Sequence, residues 1–318
     1  QHELAAAYLA NGQVKEAVKL IEHVVAIQSE TLIEDHPLRL ASQHMLAIAY
    51  RANGQVKESV KLLEHVVAIK AEVLTEDHPD RLTSQHELAA AYLANGQVKE
   101  AVELIEHVVA IQSETLAEDH PDRLASRHML AIAYLANGQV KEAVQLLEHV
   151  IAIRTEMLAE GHPSRLASQH MLAIAYRANG QVKEAVKLLE YVVAIKAEVL
   201  AEDHPDRLAS QHELAVAYLA NGQVKEAVQL LEHVVAIRTE ILAEDHPDRL
   251  ISETTLATFY EDLAKIFKTR QESKRPQATS DNNITSTASS DQSSAEQEPK
   301  SSNASKRRRL NDILKKAK

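Results

Sequence analysis

The sequence predicts an all-α solenoid of six helix pairs followed by a C-terminal cap helix. Three observations support this prediction: a 42-residue unit recurs six times, apolar residues recur at helical spacing within each unit, and no alternating apolar–polar run indicates a strand. One unit is too small to bury its own apolar face, so neighbouring units must stack into a continuous core.

The repeat boundaries follow from proline. Prolines recur 42 residues apart at Pro37, Pro79, Pro121, Pro163, Pro205 and Pro247. The predicted units, numbered here as copies 1 to 6, are residues 1–36, 37–78, 79–120, 121–162, 163–204 and 205–246. A cap helix is predicted over 247–270, and the array therefore spans 1–270.

The first helix of each copy, called helix A, is predicted from its end signals. In copy 3, Pro79 suits a first helical position, because its missing N–H would have no partner there. Gly96 follows Asn95 and can adopt the left-handed conformation that ends a helix. Helix A is therefore predicted over about 79–95.

The second helix, called helix B, is predicted from an apolar stripe. Val98, Val102, Ile105 and Val109 lie at the spacing of one face of an amphipathic helix. The stripe predicts a helix from 98 to about 117, and the next two residues form a connector to the following copy.

Four short motifs recur in the copies and in copy 3 read Leu88-Ala89-x-x-Tyr92, Asn95-Gly96-Gln97, Glu100-Ala101-Val102 and Asp119-His120-Pro121. They resemble the tetratricopeptide repeat of the 42-residue kinesin-light-chain type. The resemblance implies a right-handed superhelix in which helices A and B cross closely at Ala89 and Ala101. It also implies a concave groove, lined by helix A, in which extended peptides bind. The near-identity of the copies is most similar to repeat regions of fungal NB-ARC or NACHT immune-type receptors.

Composition and charge exclude several classes of protein. Cysteine is absent, which excludes disulfides and thiolate metal sites. No signal peptide and no long apolar run is present, so a cytoplasmic location and no membrane span are expected. Residues 1–270 carry 25 basic against 40 acidic residues, a net charge of −15. Nucleic acid is therefore not an expected partner of the repeats.

No motif predicts an enzyme. The sequence has no P-loop, no glycine-rich phosphate cradle and no Ser-His-Asp arrangement. Most of the 17 histidines are explained by copying of the repeat, at a spacing that does not converge on a metal. We therefore expect no catalytic residue, no cofactor, no metal site and no small-molecule substrate.

Residues 271–318 differ in composition, with 10 basic against 6 acidic residues. Residues 280–305 are mostly polar and cannot bury enough apolar surface to offset ordering, so a disordered Ser-rich tail is predicted. The tail contains a basic cluster, Lys306, Arg307, Arg308 and Arg309, which is a candidate nuclear import signal. The alternative is a solvated basic terminus that folds back on the acidic repeats.

Within helix A, the copies differ mainly at three positions, spaced three residues apart and therefore on one face. In copies 2 and 3 these are Met45, Ile48 and Arg51, then Glu87, Ala90 and Leu93. Met accompanies Ile, and Glu accompanies Ala or Val. With the preceding histidines they form the predicted partner groove: His44, Met45, Ile48, Arg51, His86, Glu87, Ala90, Leu93, His128, Met129, Ile132, Leu135, His170, Met171, Ile174 and Arg177. Arginine at the third position is expected to pair with ligand carboxylates, which Glu87 would repel.

These observations predict a protein–protein interaction scaffold. The chain begins inside a helix A and without Met, so we expect it to be part of a longer protein. The first hypothesis is the sensing repeat region of a fungal NLR-like receptor, and the alternative is a kinesin-light-chain-like cargo adaptor. An upstream NB-ARC or NACHT domain would favour the first, and an upstream coiled coil the second. A third hypothesis is a nuclear regulatory protein that uses the basic tail.

Overall fold

The computed structural model describes residues 2–10 and 12–273, and these residues form thirteen α-helices and no strand. The predicted all-α repeat fold is confirmed. The helices are α1 His2–Ala10, α2 Val14–Thr31, α3 Pro37–Ala52, α4 Val56–Val73, α5 Pro79–Ala94, α6 Val98–Thr115, α7 Pro121–Ala136, α8 Val140–Met157, α9 Pro163–Ala178, α10 Val182–Val199, α11 Pro205–Ala220, α12 Val224–Ile241 and α13 Pro247–Ser273. Odd-numbered helices up to α11 are helices A, and even-numbered helices are helices B.

Each fully described helix A begins at its proline and ends before the Asn-Gly turn, as the sequence predicts. In α5 the side chain of His78 caps the helix, because its Nδ1 accepts a hydrogen bond of 3.1 Å from the amide of Asp80. At the other end, Gly96 has φ +79°, which a residue with a Cβ rarely adopts. The capping role of the histidine before proline was not predicted, since histidine is not among the preferred N-cap residues.

Helix B ends earlier than the apolar stripe predicts. In α6 the last helical residue is Thr115, and Leu116 is extended at φ −119° and ψ 149°. The carbonyl of Leu116 accepts a hydrogen bond of 2.8 Å from Arg123 of the next helix A. This arginine satisfies a carbonyl at the helix end, so the chain can turn two residues before the predicted end at 117.

The chain divides into two compact regions, residues 1–199 and 200–318, of which the second is described as far as 273. In the first region consecutive helices from α1 to α10 pack against each other, and each helix A also contacts the next helix A. Small residues at the crossings, such as Ala89 and Ala101, are completely buried, as the family resemblance implies. Ile105 and Leu147 are likewise completely buried in the core.

The second region consists of α11, α12 and α13 around one apolar cluster. The last helix, α13, extends three residues beyond the predicted end of the cap at 270. Phe259 is buried where the copies have alanine, and it packs with Leu263 against α12. On the other side of α13, Lys265 is exposed, as expected for a cap. The predicted tail beyond 273 lies outside the described residues.

Candidate functional site at the repeat interfaces

The sixteen predicted groove residues all lie on α3, α5, α7 and α9, in the first compact region. None of the sixteen is fully exposed: Ala90 is buried, and the other fifteen are half-buried. Several of them, such as Met45 and Met129, pack against a cluster shared with the preceding copy. Their chemistry is therefore determined at least in part by the helix A that follows or precedes them.

Apolar side chains of successive copies pack against a shared buried cluster at three interfaces. Leu9 of copy 1 and Met45 of copy 2 pack against the same buried cluster. The same holds for Leu93 with Met129, and for Leu135 with Met171. In each case the two residues are 36 positions apart, the third variable position of one copy and the first of the next.

The interface between copies 2 and 3 replaces this apolar pair by an ion pair. Nη2 of Arg51 lies 2.6 Å from Oε2 of Glu87, again 36 residues along the chain. Burial acts to raise the pKa of Glu87, but the hydrogen bond from His86 and the charge of Arg51 outweigh it and lower that pKa. Arg51 and Glu87 therefore neutralise each other, which revises the expectation that each acts separately on a ligand.

A simple rule describes the variation among the copies. Leucine at the third variable position of one copy is followed by methionine at the first variable position of the next copy. Arginine at the third variable position is followed by glutamate at the first variable position of the next copy. The sequence obeys it throughout: Leu9–Met45, Arg51–Glu87, Leu93–Met129, Leu135–Met171 and Arg177–Glu213. Comparison within single copies cannot reveal this rule, because it relates each copy to the next one.

A buried cation forms a second connection between copies. Nζ of Lys70, on α4, donates 2.8 Å to Oγ of Ser84 and 3.0 Å to the carbonyl of Asp80, both on α5. Oγ of Ser84 lies 3.2 Å from Nδ1 of His44. Lys70 and Ser84 are more than nine-tenths buried. Through these contacts helix B of one copy and both helices A share one polar cluster.

The interface between copies 4 and 5 repeats this cluster with arginine. Nη1 of Arg154 lies 2.5 Å from Oγ of Ser168 and 2.7 Å from the carbonyl of Ser164. Oγ of Ser168 lies 3.0 Å from Nδ1 of His128. Burial, and then the charge of Arg154, lower the pKa of His128 to about 4. His128 is therefore neutral and can accept the serine proton at Nδ1.

The interface between copies 3 and 4 lacks the cation, since Gln112 takes the position of Lys70 and Arg154. Gln112 is 4% exposed, and its Oε1 has no hydrogen-bond partner among the described residues. Nε2 of His86, at the position of His44 and His128, is also buried and has no partner within the described chain. The polar cluster is thus incomplete at this interface.

Each of these three interfaces also forms a recess, lined by the N-terminal parts of two successive helices A, the end of the helix B between them and the connectors. The recesses have volumes of about 360, 310 and 320 Å³ between copies 2 and 3, 3 and 4, and 4 and 5. Lys70, Gln112 and Arg154 line them in that order. Sequence analysis missed these residues, although they are the polar members of an otherwise apolar stripe on helix B.

Most of the remaining described histidines have structural contacts. The histidine of helix B lies near a connector carboxylate, as His107 does at 3.1 Å from Oε1 of Glu76. In copy 5, Tyr191 replaces this histidine and donates a hydrogen bond to Glu160 of the preceding connector. The histidines of the connectors cap helices A, as His78 does. Repetition of these contacts accounts for most of the histidines.

Comparison with known proteins identifies the family. A family model described as Tetratricopeptide repeat matches residues 1–72, 46–111, 80–156, 164–240 and 206–266. The chain belongs to the tetratricopeptide repeat family. A search of curated proteins finds no match. None of the helices in the described residues is long and apolar enough to cross a membrane.

Solved structures add detail to this assignment. A kinesin-light-chain-like protein of nearly identical tetratricopeptide-like repeats, from Podospora anserina, is 66% identical with a TM-score of 0.55, covering 65% of this chain and 98% of that one. A single-substitution variant of that Podospora protein is also 66% identical, with a TM-score of 0.56 and coverage of 66% and 98%. The fold is shared with BtubC (BKLC) from P. vanneervenii, at 18% identity, a TM-score of 0.57 and coverage of 74% and 94%. The predicted kinesin-light-chain type of repeat is confirmed.

Proposed function

We propose that this repeat array is a protein-interaction scaffold that binds an extended or helical segment of a partner along its helix A face. The observation that carries the proposal is the row of recesses between successive helices A, at equivalent positions in three neighbouring interfaces. Stacked repeats of this family create extended surfaces of this kind. A segment lying along the row would meet each copy in turn.

The residues of the predicted groove would give such a partner a pattern to recognise. At the interface of copies 2 and 3 the partner meets the ion pair of Arg51 and Glu87. At the next interface it meets Leu93 and the adaptable side chain of Met129. This alternation of polar and apolar contacts supports recognition by register, since a shifted partner would place apolar groups on the ion pair.

Two biological roles are consistent with this surface. The 66% identical repeat proteins support a kinesin-light-chain-like adaptor. The near-identity of the copies supports the sensing repeats of a fungal NLR-like receptor. Reading the coding sequence upstream of Gln1 decides between them, because a coiled coil favours the adaptor and an NB-ARC or NACHT domain favours the receptor.

The basic tail supports a further proposal, nuclear import through Lys306, Arg307, Arg308 and Arg309, which lie outside the described residues. A fluorescent fusion of the chain should accumulate in nuclei. Replacement of these four residues by alanine should abolish the accumulation. An unchanged distribution would contradict an import role for the cluster.

The groove is tested by changing the surface without breaking the contacts between copies. Met129→Glu alone would place a carboxylate beside Leu93, so it should destabilise the array. The triple change Leu93→Arg, Met129→Glu and Ile132→Ala instead gives this interface the residues that copies 2 and 3 already carry. Peptides selected from a display library against the native chain should bind this variant at least about tenfold more weakly, a loss of about 1.4 kcal/mol.

The matched control is Gln145→Lys on α8, an exposed helix B position where copy 1 carries Lys19. This change should leave peptide binding and the melting temperature unaltered. If Gln145→Lys abolishes binding and the triple variant retains it, the partner surface lies on helix B and the proposal is wrong. Fluorescence anisotropy with labelled peptides measures both affinities.

A further inference from the structure

The recess between copies 3 and 4 differs from its two neighbours in its charge. Each of the three recesses is lined by two aspartates, which are Asp77 and Asp122 at this interface. The neighbouring recesses also contain the cation of Lys70 or Arg154, whereas no Lys or Arg is among the residues that line this one. Since the sizes are similar, the recesses differ mainly in polar chemistry.

Lys70 and Arg154 show what the common framework accepts. Each cation donates to a serine hydroxyl and to a carbonyl in the first turn of the next helix A. Ser126 occupies the equivalent place between copies 3 and 4, and it lines the recess together with Gln112. The chain itself therefore provides two examples of a cationic side chain in this position.

Gln112 and His86 leave acceptors unused in the same recess. Oε1 of Gln112 is buried without a hydrogen-bond partner among the described residues, and so is Nε2 of His86. A buried acceptor without a donor is unfavourable by about 1–3 kcal/mol. A ligand that brings hydrogen-bond donors would remove this penalty.

The charges that line the recess also favour a cation, whereas Arg127, which stands where the neighbouring copies have glutamine, has its Nη1 3.9 Å from Oε1 of Glu118 and does not line the recess. Asp77 and Asp122 lie at its rim, and a positive charge between them would be stabilised. Arg123 binds the carbonyl of Leu116, but Arg81 makes the equivalent contact to Leu74 beside the Lys70 recess. That arginine is thus common to both interfaces and does not replace the missing cation.

We propose that the recess between copies 3 and 4 binds a basic side chain, a lysine ammonium or an arginine guanidinium, presented by the partner segment. The ammonium or guanidinium donates to Oε1 of Gln112 and to Ser126, as Lys70 does to Ser84 in the preceding copy. With a volume of about 310 Å³, the recess is at the small end of ligand sites and suits one side chain. The inference deepens the proposed function and rests on it, since the basic group belongs to a segment lying on the helix A face.

The test uses a thiol at the rim and needs no partner protein. Thr115 is exposed and lines this recess, and the chain has no cysteine, so Thr115→Cys introduces a unique thiol. The variant is equilibrated with equal amounts of cystamine and bis(2-hydroxyethyl) disulfide. The protein thiolate attacks either disulfide, forms a mixed disulfide and releases one thiol. Intact mass spectrometry measures the ratio of aminoethyl to hydroxyethyl adduct.

Val73→Cys provides the matched control, because Val73 lines the recess that already holds Lys70. The ratio of aminoethyl to hydroxyethyl adduct should be about tenfold higher for Thr115→Cys than for Val73→Cys. Adding Gln112→Lys to Thr115→Cys should remove the preference. Adding Lys70→Gln to Val73→Cys should create a preference for the aminoethyl adduct. Circular dichroism melting of each variant verifies that it is folded.

Equal ratios for the two single-cysteine variants would overturn the proposal, since general attraction to an acidic protein acts on both. A preference that survives Gln112→Lys would also overturn it. If cations bind in this assay while the triple variant of helix A leaves peptide binding intact, the recess binds a basic group as proposed, and the proposed partner surface is wrong. The two failures are therefore distinguishable.

Discussion

The interface between copies 2 and 3 and the interface between copies 3 and 4 use one backbone arrangement with different chemistry. The first holds the ion pair of Arg51 and Glu87 and the buried cation of Lys70. The second holds Leu93 with Met129, and Gln112 in place of the cation. Nearly identical repeats thus differ at the positions where one copy meets the next.

This difference matters because identical interfaces would allow copies to pair in the wrong order. If copy 3 were skipped, Arg51 would face Met129 and a half-buried charge would lose its partner. If copy 2 were skipped, Glu87 would face Leu9 with the same penalty. Both errors are unfavourable, as in designed proteins that use charged pairs to specify register. Variation at these positions therefore disfavours the omission of copy 2 or copy 3.

The largest effect should come from breaking the buried cluster between copies 4 and 5. Arg154→Ala should lower the free energy of unfolding by about 4 kcal/mol, because it leaves a cavity and unpaired groups at Ser164 and Ser168. Gln112→Ala, at the equivalent position of the neutral interface, should lower it by about 2 kcal/mol or less. Urea unfolding of both variants measures the difference. Equal losses would show that the cation contributes no more than glutamine.

The pH dependence of stability should depend on His128. Since the folded protein lowers its pKa from 6.5 to about 4, the unfolded chain binds a proton that the folded chain refuses. The stabilisation is complete above pH 6.5 and is lost as pH falls towards 4, by roughly 3 kcal/mol in total. His128→Asn should flatten the stability curve over this range. The groups facing His128 are Ser168, Arg154, His86 and His170, and an unchanged curve in the variant would contradict the lowered pKa of His128.

A smaller effect is expected from tyrosine. Tyr92 donates 2.9 Å to Oε1 of Glu64, and burial together with this bond raises its pKa to about 12. Burial and an equivalent hydrogen bond to a glutamate also raise the pKa of Tyr50, Tyr134 and Tyr176 to about 12. Ultraviolet titration should therefore show four phenols ionising near pH 12. Tyr92→Phe should remove one and change the unfolding free energy by only about 0.5 kcal/mol, because the bond is exposed. Ionisation of all four near pH 10 would contradict these contacts.

The helices could be predicted from sequence because their signals are local. Pro79 and Gly96 set the ends of α5 almost to the residue. The end of α6 was wrong by two residues, since it depends on Arg123 of the next copy, which a local pattern cannot include.

The predicted site was limited for the same reason. Its residues were found from variation among copies, and two of them, Arg51 and Glu87, meet between successive helices A. Their pairing across 36 residues was missed, because the copies were compared position by position and not neighbour by neighbour. Lys70 and Gln112 were missed because a long polar residue in an apolar stripe is usually taken as the exposed edge of a helix. The burial of both depends on the next copy.

The most direct measurement of neighbour pairing is a double-mutant cycle on Arg51 and Glu87. Arg51→Leu and Glu87→Met should each lower the free energy of unfolding by about 1–2 kcal/mol, since each leaves a half-buried charge beside an apolar group. Together they recreate the pair formed by Leu93 and Met129, so the double variant should be about as stable as the native chain. The predicted coupling is therefore about 2 kcal/mol or more. Additive losses in the double variant would contradict the conclusion that the copies are matched to their neighbours.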